Sequence, residues 1–379
     1  MSERVLDVVV LGGGIMGSTT ALHLAEAGMR VAVLDRRGLC SSASGVNAGT
    51  LSLLNKRVGL IPYALRSLDL WKTMAERSGV EVGYRRIGGL SIAFTEEEAE
   101  AMRTHMEEKR QAGAPIEIVD AARARELEPS LSSHVVLASF CPFDGFANSA
   151  LTGLAYRKML LQARVDVREG FEVTALARDG DGFAVTGNGA TLRARRLVMA
   201  GGAWLGTLTR NLGASLPVRF RINQVAVTER CPPTITRVLV HALGLLTLKQ
   251  STNGTVLIGG GWQGSGTLDE GRTEVVMENL IGNLRLAQHT IPALAKTRLV
   301  RTWHGFEGFV PDHMPLAGEL NELTNAFVVG CTRGGFTIGP YVGKLLAEHI
   351  LGKETEMPLF DPNRFQGTTG APLRPAVEF

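Results

Sequence analysis

The 379-residue sequence has few cysteines, and they are widely separated. Cys40, Cys141, Cys231 and Cys331 lie about 90 to 100 residues apart, and none of them belongs to a C-x-x-C pair. Such spacing supports neither an iron–sulfur cluster nor a zinc site within this chain, so we predict no metal site. Free thiols are typical of proteins in a reducing compartment, and we therefore expect a cytoplasmic protein.

Strong charge and long apolar runs are also missing. Charged residues make up 20% of the chain and the formal net charge is +3. Because the sequence contains no basic block, we expect no nucleic-acid partner. The longest apolar stretch is far shorter than a membrane span, so we predict no transmembrane segment. Residues 1–35 begin with apolar residues but fit a folded unit, and we do not interpret them as a signal peptide.

The segment near the amino terminus carries the strongest signal in the sequence. Residues 5–11 form a short apolar run rich in β-branched residues, which is typical of a buried strand. The next residues predict a helix over 15–27, and a second apolar strand at 30–34 leads to Asp35. Between the first strand and the helix stand three glycines at the G-x-G-x-x-G spacing: Gly12, Gly14 and Gly17.

Each part of this unit has a mechanical role in holding a dinucleotide. Gly12 permits a tight turn, Gly14 lets the backbone approach a pyrophosphate, and Gly17 lets the helix pack closely on the strand. The helix N-terminus presents unpaired N–H groups to the phosphates. Asp35 follows at an offset where a carboxylate accepts ribose hydroxyl groups. The unit predicts a dinucleotide cofactor and does not by itself decide between FAD and NAD.

The rest of the chain predicts a fold of the α/β class (α+β in its two-domain arrangement). Strand and helix patterns occur again at 148–204, and the end of the chain predicts a strand at 326–330 and a helix from Pro340 to Leu351. Residues 218–300 predict an antiparallel sheet with one long helix over 273–289. We therefore expect a Rossmann-type domain and a second domain built on an antiparallel sheet.

Five stretches of the sequence resemble the FAD-dependent D-amino-acid oxidase superfamily, and the similarity covers nearly the whole chain. The superfamily includes glycine oxidase, sarcosine oxidase and D-amino-acid dehydrogenases. Its fold is similar to that of glutathione reductase. The stretches that carry the resemblance are residues 11–17, 44–49, 198–204, 311–318 and 330–340. Residues 47–56 and 306–309 look most like the flavin subunits of opine oxidases or dehydrogenases and of hydroxyproline-type dehydrogenases.

This resemblance implies FAD and a division of the chain into two discontinuous parts. The FAD-binding domain is expected to comprise residues 1–80, 141–215 and 305–379. The substrate-binding domain is expected to comprise residues 81–140 and 216–304. Residues 302–307, just before Pro311 and Asp312, contain no cysteine that could form a covalent link to FAD. We therefore expect non-covalent FAD, although His304 lies in this stretch.

The resemblance also implies which residues contact each part of the cofactor. The pyrophosphate is expected on the glycine turn, the adenosine on Asp35 and Arg36, and the isoalloxazine near residues 47–50 and 334–337. The N-terminal amides of the last helix suit the electron-rich end of a reduced flavin. The expected cofactor contacts are Gly12, Gly14, Ile15, Met16, Gly17, Asp35, Arg36, Ser44, Asn47, Ala48, Gly49, Thr50, Val173, Ala200, Gly201, Trp204, Gly334, Gly335, Phe336 and Thr337.

The implied activity is hydride transfer from the carbon next to an amine to flavin N5, followed by hydrolysis of the imine. Arg333 is the best candidate to bind a substrate carboxylate. The alternative is that Arg333 forms hydrogen bonds only with the backbone or the flavin. Glu307 stands where glycine oxidase-like members have an arginine, so it is expected to attract a cation unless it is solvated or structurally paired. Lys249 and His304 are further catalytic candidates, and His313 is a lesser one.

The resemblance leaves three functions open. The first is oxidation of the C–N bond of an amino acid or of a secondary amine such as an opine or a hydroxyproline-like compound. A partner protein with an iron–sulfur cluster or a second flavin would then pass electrons to a dye or quinone. The second is a glycine oxidase-like enzyme acting on small amines, for thiazole biosynthesis. The third is a flavin-binding subunit without turnover of its own.

Overall fold

The computed structural model describes residues 5–366. In chain order its α-helices are α1 Ile15–Glu26, α2 Ala43–Val46, α3 Ile61–Ser78, α4 Glu96–Gln111, α5 Ala121–Leu127, α6 Ser149–Gln162, α7 Leu205–Arg210, α8 Met277–Thr290 and α9 Gly335–Ile350. Its strands are β1 Leu6–Leu11, β2 Val31–Asp35, β3 Thr50–Leu51, β4 Arg85–Arg86, β5 Gly89–Ala93, β6 Glu117–Asp120, β7 Leu137–Cys141, β8 Gly145–Phe146, β9 Asp166–Glu169, β10 Val173–Asp179, β11 Gly182–Gly187, β12 Ala190–Met199, β13 Arg219–Arg230, β14 Val238–His241, β15 Thr247–Gln250, β16 Thr255–Gly259, β17 Ser265–Thr267, β18 Arg272–Glu274, β19 Leu299–Phe309, β20 Leu316–Leu320 and β21 Leu323–Gly330.

The first large sheet is built around the βαβ unit that the glycine spacing predicts. Its strands run in the order β10-β11-β12-β1-β2-β9, and β21 pairs with β12. Val8, Val9 and Val10 of β1 are fully buried, as expected for a central parallel strand covered on both faces. Helix α9 packs closely on α1, because a Cβ at Gly343 would lie 2.6 Å from the Met16 carbonyl oxygen. The Rossmann-type prediction is confirmed.

The second large sheet runs in the order β19-β13-β16-β15-β14-β5-β7-β6. Its neighbouring strands are antiparallel except for β5 and β14, which pair in parallel. Strands β13 and β19 form a long ladder that brings Arg221 opposite Glu307. This ladder matters for the site, because β19 carries Glu307 toward the N-terminus of α9.

The two sheets draw their strands from different parts of the chain. The strands of the first sheet lie within residues 6–35, 166–199 and 316–330, and those of the second lie within 89–141 and 219–309. The division into two domains stays a prediction, and its outermost segments, 1–4 and 367–379, lie outside the described residues. No helix within residues 5–366 is long and apolar enough to cross a membrane.

Two helix predictions are wrong at their N-terminal ends. Helix α8 begins at Met277, four residues later than expected, because residues 272–274 form β18 and pair with β17 across a turn at Gly271. Helix α9 begins at Gly335 and contains Pro340 in its interior. The sequence favours a start at Pro340, since proline is common in a first turn, but Gly334 caps the helix in the left-handed region with φ +65°.

Candidate active site

The glycine turn between β1 and α1 lines a groove of about 380 Å³. Gly12 has φ +110°, and a Cβ there would lie 2.4 Å from the Ala200 carbonyl oxygen. A Cβ at Gly17 would lie 2.2 Å from the Gly12 carbonyl oxygen. Gly14 precedes α1 and has no side chain to cap the helix. In the first turn, the Ile15 N–H donates to Ser44 Oγ at 3.0 Å. This is the cradle that a pyrophosphate requires.

Most residues expected to contact the cofactor lie in this groove. Those that line it are Gly12, Gly14, Ile15, Met16, Gly17, Asp35, Arg36, Ser44, Asn47, Val173, Ala200, Gly201, Trp204, Gly334, Gly335 and Phe336. Ala48 and Thr50 line a second cavity. Gly49 and Thr337 lie outside both. Gly49 has φ +72°, and a Cβ there would lie 2.0 Å from the Ala147 carbonyl oxygen, so this glycine is required for packing.

Asp35 and Arg36 define one end of the groove. The carboxylate of Asp35 accepts hydrogen bonds from the backbone N–H groups of Gly13 and Arg37, both at 2.8 Å. Burial raises the pKa of Asp35, and these two hydrogen bonds oppose the effect. The Arg36 guanidinium lies over the Trp204 ring, 3.8 Å from its centroid. Sequence reasoning found Asp35 and Arg36 but not the contact of Arg36 with Trp204, which depends on the fold.

A second cavity, of about 460 Å³, adjoins the groove. Both are lined by residues at the end of α2, on β19 and at the start of α9. The shared residues include Asn47, which follows α2, Phe306, Glu307, and Gly334, which precedes α9. We call this meeting point the junction. Beyond it, the second cavity extends between the second sheet, helix α4 and residues 52–58. An elongated ligand in the groove therefore ends beside a chamber large enough for a small substrate.

Glu307 is held in the junction by two hydrogen bonds. Its carboxylate accepts one from the Gly334 N–H at 3.1 Å and one from Asn223 Nδ2 at 2.9 Å. The side chain is therefore structurally paired and also faces both cavities. A carboxylate has about four lone-pair sites, so it retains capacity for a further donor.

Lys249 lies behind the wall of the second cavity. Its side chain is 0% exposed, and its Nζ donates to Thr50 Oγ1 at 2.7 Å. Thr50 Oγ1 also lies 2.8 Å from Thr247 Oγ1. Burial lowers the pKa of Lys249 to about 7. Lys249 therefore reaches the cavity only through Thr50.

Arg333 lines the second cavity, whereas the two histidine candidates lie outside it. His313 stacks on Phe309 with ring centroids 4.9 Å apart. Burial and the nearby charges of Arg57, Arg333 and Arg221 lower the pKa of His313 to about 4, so its ring is neutral at pH 7. His304 sits in β19 opposite Gln224 and lines neither cavity.

Sequence reasoning missed several cations that line the second cavity. Lys56 and Lys109 are only 7% and 9% exposed, and Arg57 joins them in the lining. Asp144 is fully buried near both lysines and accepts hydrogen bonds from Ser52 Oγ and from the Leu53 N–H. Burial lowers the pKa of each lysine to about 8, and the charge of Asp144 opposes the effect.

One sequence signal could have indicated Lys109. It continues the apolar face of α4 at helical spacing after Met102 and Met106, so it points to the same side of the helix. The opposite face of α4 is rich in glutamate, and this pattern is typical of a helix that faces solvent. No local pattern relates Lys109 to Lys56, because they lie on separate elements.

Comparison with known proteins agrees with this architecture. Residues 7–349 match the family described as FAD dependent oxidoreductase, so the chain belongs to that family. Glycine oxidase of Geobacillus kaustophilus is 30% identical over 375 residues, which cover 96% of this chain and 98% of that protein. A protein of Rhizobium meliloti named as one of the subunits of an opine oxidase is 27% identical over 378 residues, covering 95% and 98% of the two chains.

Solved structures give the same result. The structure of glycine oxidase from Geobacillus kaustophilus matches with a TM-score of 0.88 at 27% identity, covering 95% of this chain and 99% of that one. L-proline dehydrogenase from P. horikoshii matches with a TM-score of 0.85 at 25% identity, covering 96% and 98%. The chain is an FAD-dependent oxidoreductase acting on amino acids or amines, and the sequence-based predictions of the family and of FAD are confirmed.

Proposed function

We propose that the protein oxidises the C–N bond of a secondary-amine amino acid of the opine or hydroxyproline type. Bound FAD supplies the hydride acceptor for this oxidation, and water hydrolyses the resulting imine. The observation that carries the proposal is the junction, where a dinucleotide groove opens beside a cation-rich cavity that contains one carboxylate, Glu307. Such a cavity suits a substrate with an acidic group and an amine.

We propose that three parts of the groove hold FAD. Asp35, with Arg36 and Trp204 beside it, holds the adenosine end, and the N-terminus of α1 holds the pyrophosphate. The junction holds the flavin ring, next to the start of α9. The Cβ contacts at Gly12 and Gly17 support this assignment, because any side chain there would collide with the backbone that shapes the cradle.

We further propose that FAD is bound without a covalent link. Cys40 and Cys331 line the groove, but burial raises the pKa of both thiols, that of Cys331 to about 12. Both thiols therefore remain protonated at pH 7, and a protonated thiol is a poor nucleophile. His304, the other candidate for attachment, lies outside the groove.

In the second cavity, Arg333 binds a carboxylate of the substrate and Glu307 accepts a hydrogen bond from its nitrogen. An arginine offers two parallel N–H donors to a carboxylate, which fixes the orientation of the bound acid. Lys249 acts as a positioning residue, because its hydrogen bond holds Thr50 in the cavity wall.

A dye-coupled turnover assay with D- and L-amino acids, N-methyl amino acids, prolines and opines tests the proposal. We expect opines and hydroxyproline-type prolines to be turned over with the highest kcat/KM. The glycine oxidase-like alternative, favoured by the 30% identity to a glycine oxidase, predicts instead that glycine and sarcosine are the best substrates. Absence of turnover with every member of the panel would contradict both enzyme functions and leave the flavin-binding subunit.

We also propose a second protein that assembles with this chain, carries an iron–sulfur cluster or a second flavin, and passes electrons to a quinone. Two similar proteins are named as subunits of opine oxidases, which supports a multi-subunit enzyme. The four cysteines of this chain are free thiols and are widely separated, so a cluster would have to be held by the second protein. Free thiols also support a cytoplasmic location.

A further inference from the structure

A chain of hydrogen bonds leads from the second cavity to the fully buried Lys249. Lys249 Nζ donates to Thr50 Oγ1 at 2.7 Å, and Thr50 Oγ1 lies 2.8 Å from Thr247 Oγ1. Both threonines line the cavity, whereas Lys249 lies behind its wall. The two hydroxyl groups therefore connect the cavity to a lysine that a ligand there does not touch.

Lys249 has fewer hydrogen-bond partners than an ammonium group needs. An ammonium group carries three donors, and within residues 5–366 its Nζ donates to Thr50 Oγ1 alone. A buried charge with so few partners is costly, and burial lowers the pKa of Lys249 to about 7. Above that pH most molecules hold Lys249 as a neutral amine, whose lone pair can accept a proton.

The protonation state of Lys249 determines where the two hydroxyl hydrogens point. A hydroxyl group donates one hydrogen bond and accepts two. When Lys249 is charged, Thr50 accepts from it and can donate to Thr247, so that Thr247 can donate into the cavity. When Lys249 is neutral and accepts from Thr50, Thr50 can accept from Thr247, which then offers a lone pair to a ligand N–H. A proton can therefore enter at Thr247 and arrive at Lys249 without movement of either threonine.

We propose that Lys249 accepts the proton that an ammonium substrate loses before its oxidation, and that Thr247 and Thr50 pass this proton to it. An N–H bond of the substrate breaks as an O–H bond forms on Thr247. Each hydroxyl group passes its own hydrogen on, and an N–H bond forms on Lys249. The substrate nitrogen keeps the electron pair, which it needs when the adjacent carbon gives up a hydride to FAD. The inference rests on the proposed C–N oxidation and adds the path of the proton.

The relay begins beside the region where we place the flavin ring. Thr337, in the first turn of α9, donates to the Thr50 carbonyl oxygen at 3.4 Å. On the other side, a Cβ at Gly259, the partner of Thr247 across the ladder, would lie 3.8 Å from the Cβ of Ala48. A proton stored on Lys249 then offsets the negative charge that two electrons bring to this region.

Other titratable groups lie near the relay but outside its hydrogen bonds. On the strands that pair with β15, β16 carries none and β14 carries His241, whose Nε2 lies 3.2 Å from Glu98 Oε1. Strand β3 carries none, and the first on α9 is Tyr341, which donates to Glu356. The titratable side chains that line the second cavity are Lys56, Arg57, His105, Lys109, Glu307 and Arg333. Burial, and none of these groups, lowers the pKa of Lys249.

The pH dependence of the midpoint potential of bound FAD tests the proton acceptor without a substrate. Above neutral pH, two-electron reduction of a flavin takes up one proton, and each proton taken up adds about 30 mV per pH unit to the slope. We expect the added negative charge to raise the pKa of Lys249 by about two units, so that Lys249 takes up a second proton between about pH 7.5 and 8.5.

The expected slope is therefore about 60 mV per pH unit for the wild type and about 30 mV for Lys249→Met. Lys72→Met, which removes an exposed lysine on α3, is the control and should keep the wild-type slope. If Lys249→Met fails to retain FAD, Lys249→Gln replaces it. A wild-type slope of about 30 mV, or a slope of about 60 mV that survives the substitution, would overturn the proposal.

Anaerobic flavin reduction by the panel member with the highest kcat/KM tests the path. Thr247→Val removes the hydroxyl group and is expected to slow the reduction about tenfold at about pH 7.5, but little at about pH 10, where free amine is abundant. Thr247→Ser keeps the hydroxyl group and is the matched control, with a rate near that of the wild type at both pH values. An equal deficit of Thr247→Val at both would contradict the relay.

The two experiments separate the relay from the proposed function. The steeper slope in a protein whose flavin no amine reduces would remove the proposed function and leave Lys249 as the group that gains a proton on reduction. Efficient amine oxidation in a protein with the shallower slope would remove the relay and leave the function.

Discussion

The Glu307 carboxylate accepts a hydrogen bond from the Gly334 N–H at 3.1 Å, which ties strand β19 to the start of helix α9. This contact places a negative charge at a helix N-terminus, where the partial positive charge of the helix stabilises it. It also places that charge at the junction between the groove and the second cavity. The substrate preference of the protein is therefore expected to depend on Glu307.

Replacing Glu307 is expected to change the preference between substrates. Glu307→Arg introduces a donor that pairs with a carboxylate, so kcat/KM for glycine and sarcosine should rise about tenfold relative to that for opines and prolines. Turnover assays on both substrate classes measure the ratio. Glu117→Arg, a surface change on the edge strand β6, is the control. An unchanged ratio would show that Glu307 does not contact substrate.

The glycine turn should tolerate no side chain at Gly12. Gly12→Ala places a Cβ 2.4 Å from the Ala200 carbonyl oxygen, so we expect the purified variant to lose most of its FAD. The ratio of visible to ultraviolet absorbance measures the loss. Gly28→Ala is the matched control, since Gly28 also has positive φ (+90°) but has open space around its Cβ position. Retention of FAD by Gly12→Ala would exclude this turn as the pyrophosphate site.

Lys249 should make stability depend on pH. Its pKa is about 7 in the folded protein and about 10.5 when exposed, so the unfolded chain binds more protons between these values. The stability of the wild-type protein therefore rises with pH across this interval. Lys249→Met removes the penalty and is expected to raise the free energy of unfolding by about 2 kcal/mol at pH 7.

Urea unfolding at a fixed FAD concentration measures this effect between pH 6.5 and about 10. The advantage of Lys249→Met should shrink steadily as the pH rises toward 10.5. Lys72→Met, which removes an exposed lysine on α3, should show no such trend. An advantage that stays constant with pH would mean that the variant acts through packing instead of through the proton.

The cofactor should separate from the protein on denaturation. Because the thiols that line the groove remain protonated, we expect acid precipitation to release all of the yellow cofactor into the supernatant. Absorbance of the supernatant and colour of the washed pellet measure the two fractions. A yellow pellet would indicate a covalent link and would direct attention to Cys331 and His304.

The electron acceptor should not be oxygen. If a second protein takes the electrons, the isolated chain should reduce an added dye much faster than it forms hydrogen peroxide. Co-expression with the neighbouring gene products, followed by affinity purification of this chain, should yield that second protein. Rapid peroxide formation by the isolated chain would contradict the heteromer.

Local signals were enough to predict the core of the cofactor-binding region. The glycine spacing and the β-branched strand lie within one short stretch, so they predict β1, α1 and β2 without reference to the rest of the chain. The Thr95 cap is similarly local: its side chain accepts from the Glu98 N–H at 3.2 Å, three residues along the chain, at the start of α4.

Features that depend on long-range contact could not be predicted in this way. Pro340 suggests a helix start, but packing of α9 on α1 extends the helix back to Gly335. The lysine pair joins residues 56 and 109 from separate elements around Asp144. The pairing of Glu307 with Gly334 likewise requires β19 to reach α9. Only the assembled fold brings these groups together.

Anaerobic reduction of the purified protein is the most direct test of the central claim, that the second cavity presents an amine to the flavin. We predict that one equivalent of a secondary-amine amino acid bleaches the visible flavin band without any added reductant, and that an equal amount of the tertiary N,N-dialkyl analogue bleaches it far more slowly. A flavin band that persists with every secondary amine, in protein that dithionite reduces fully, would contradict the account.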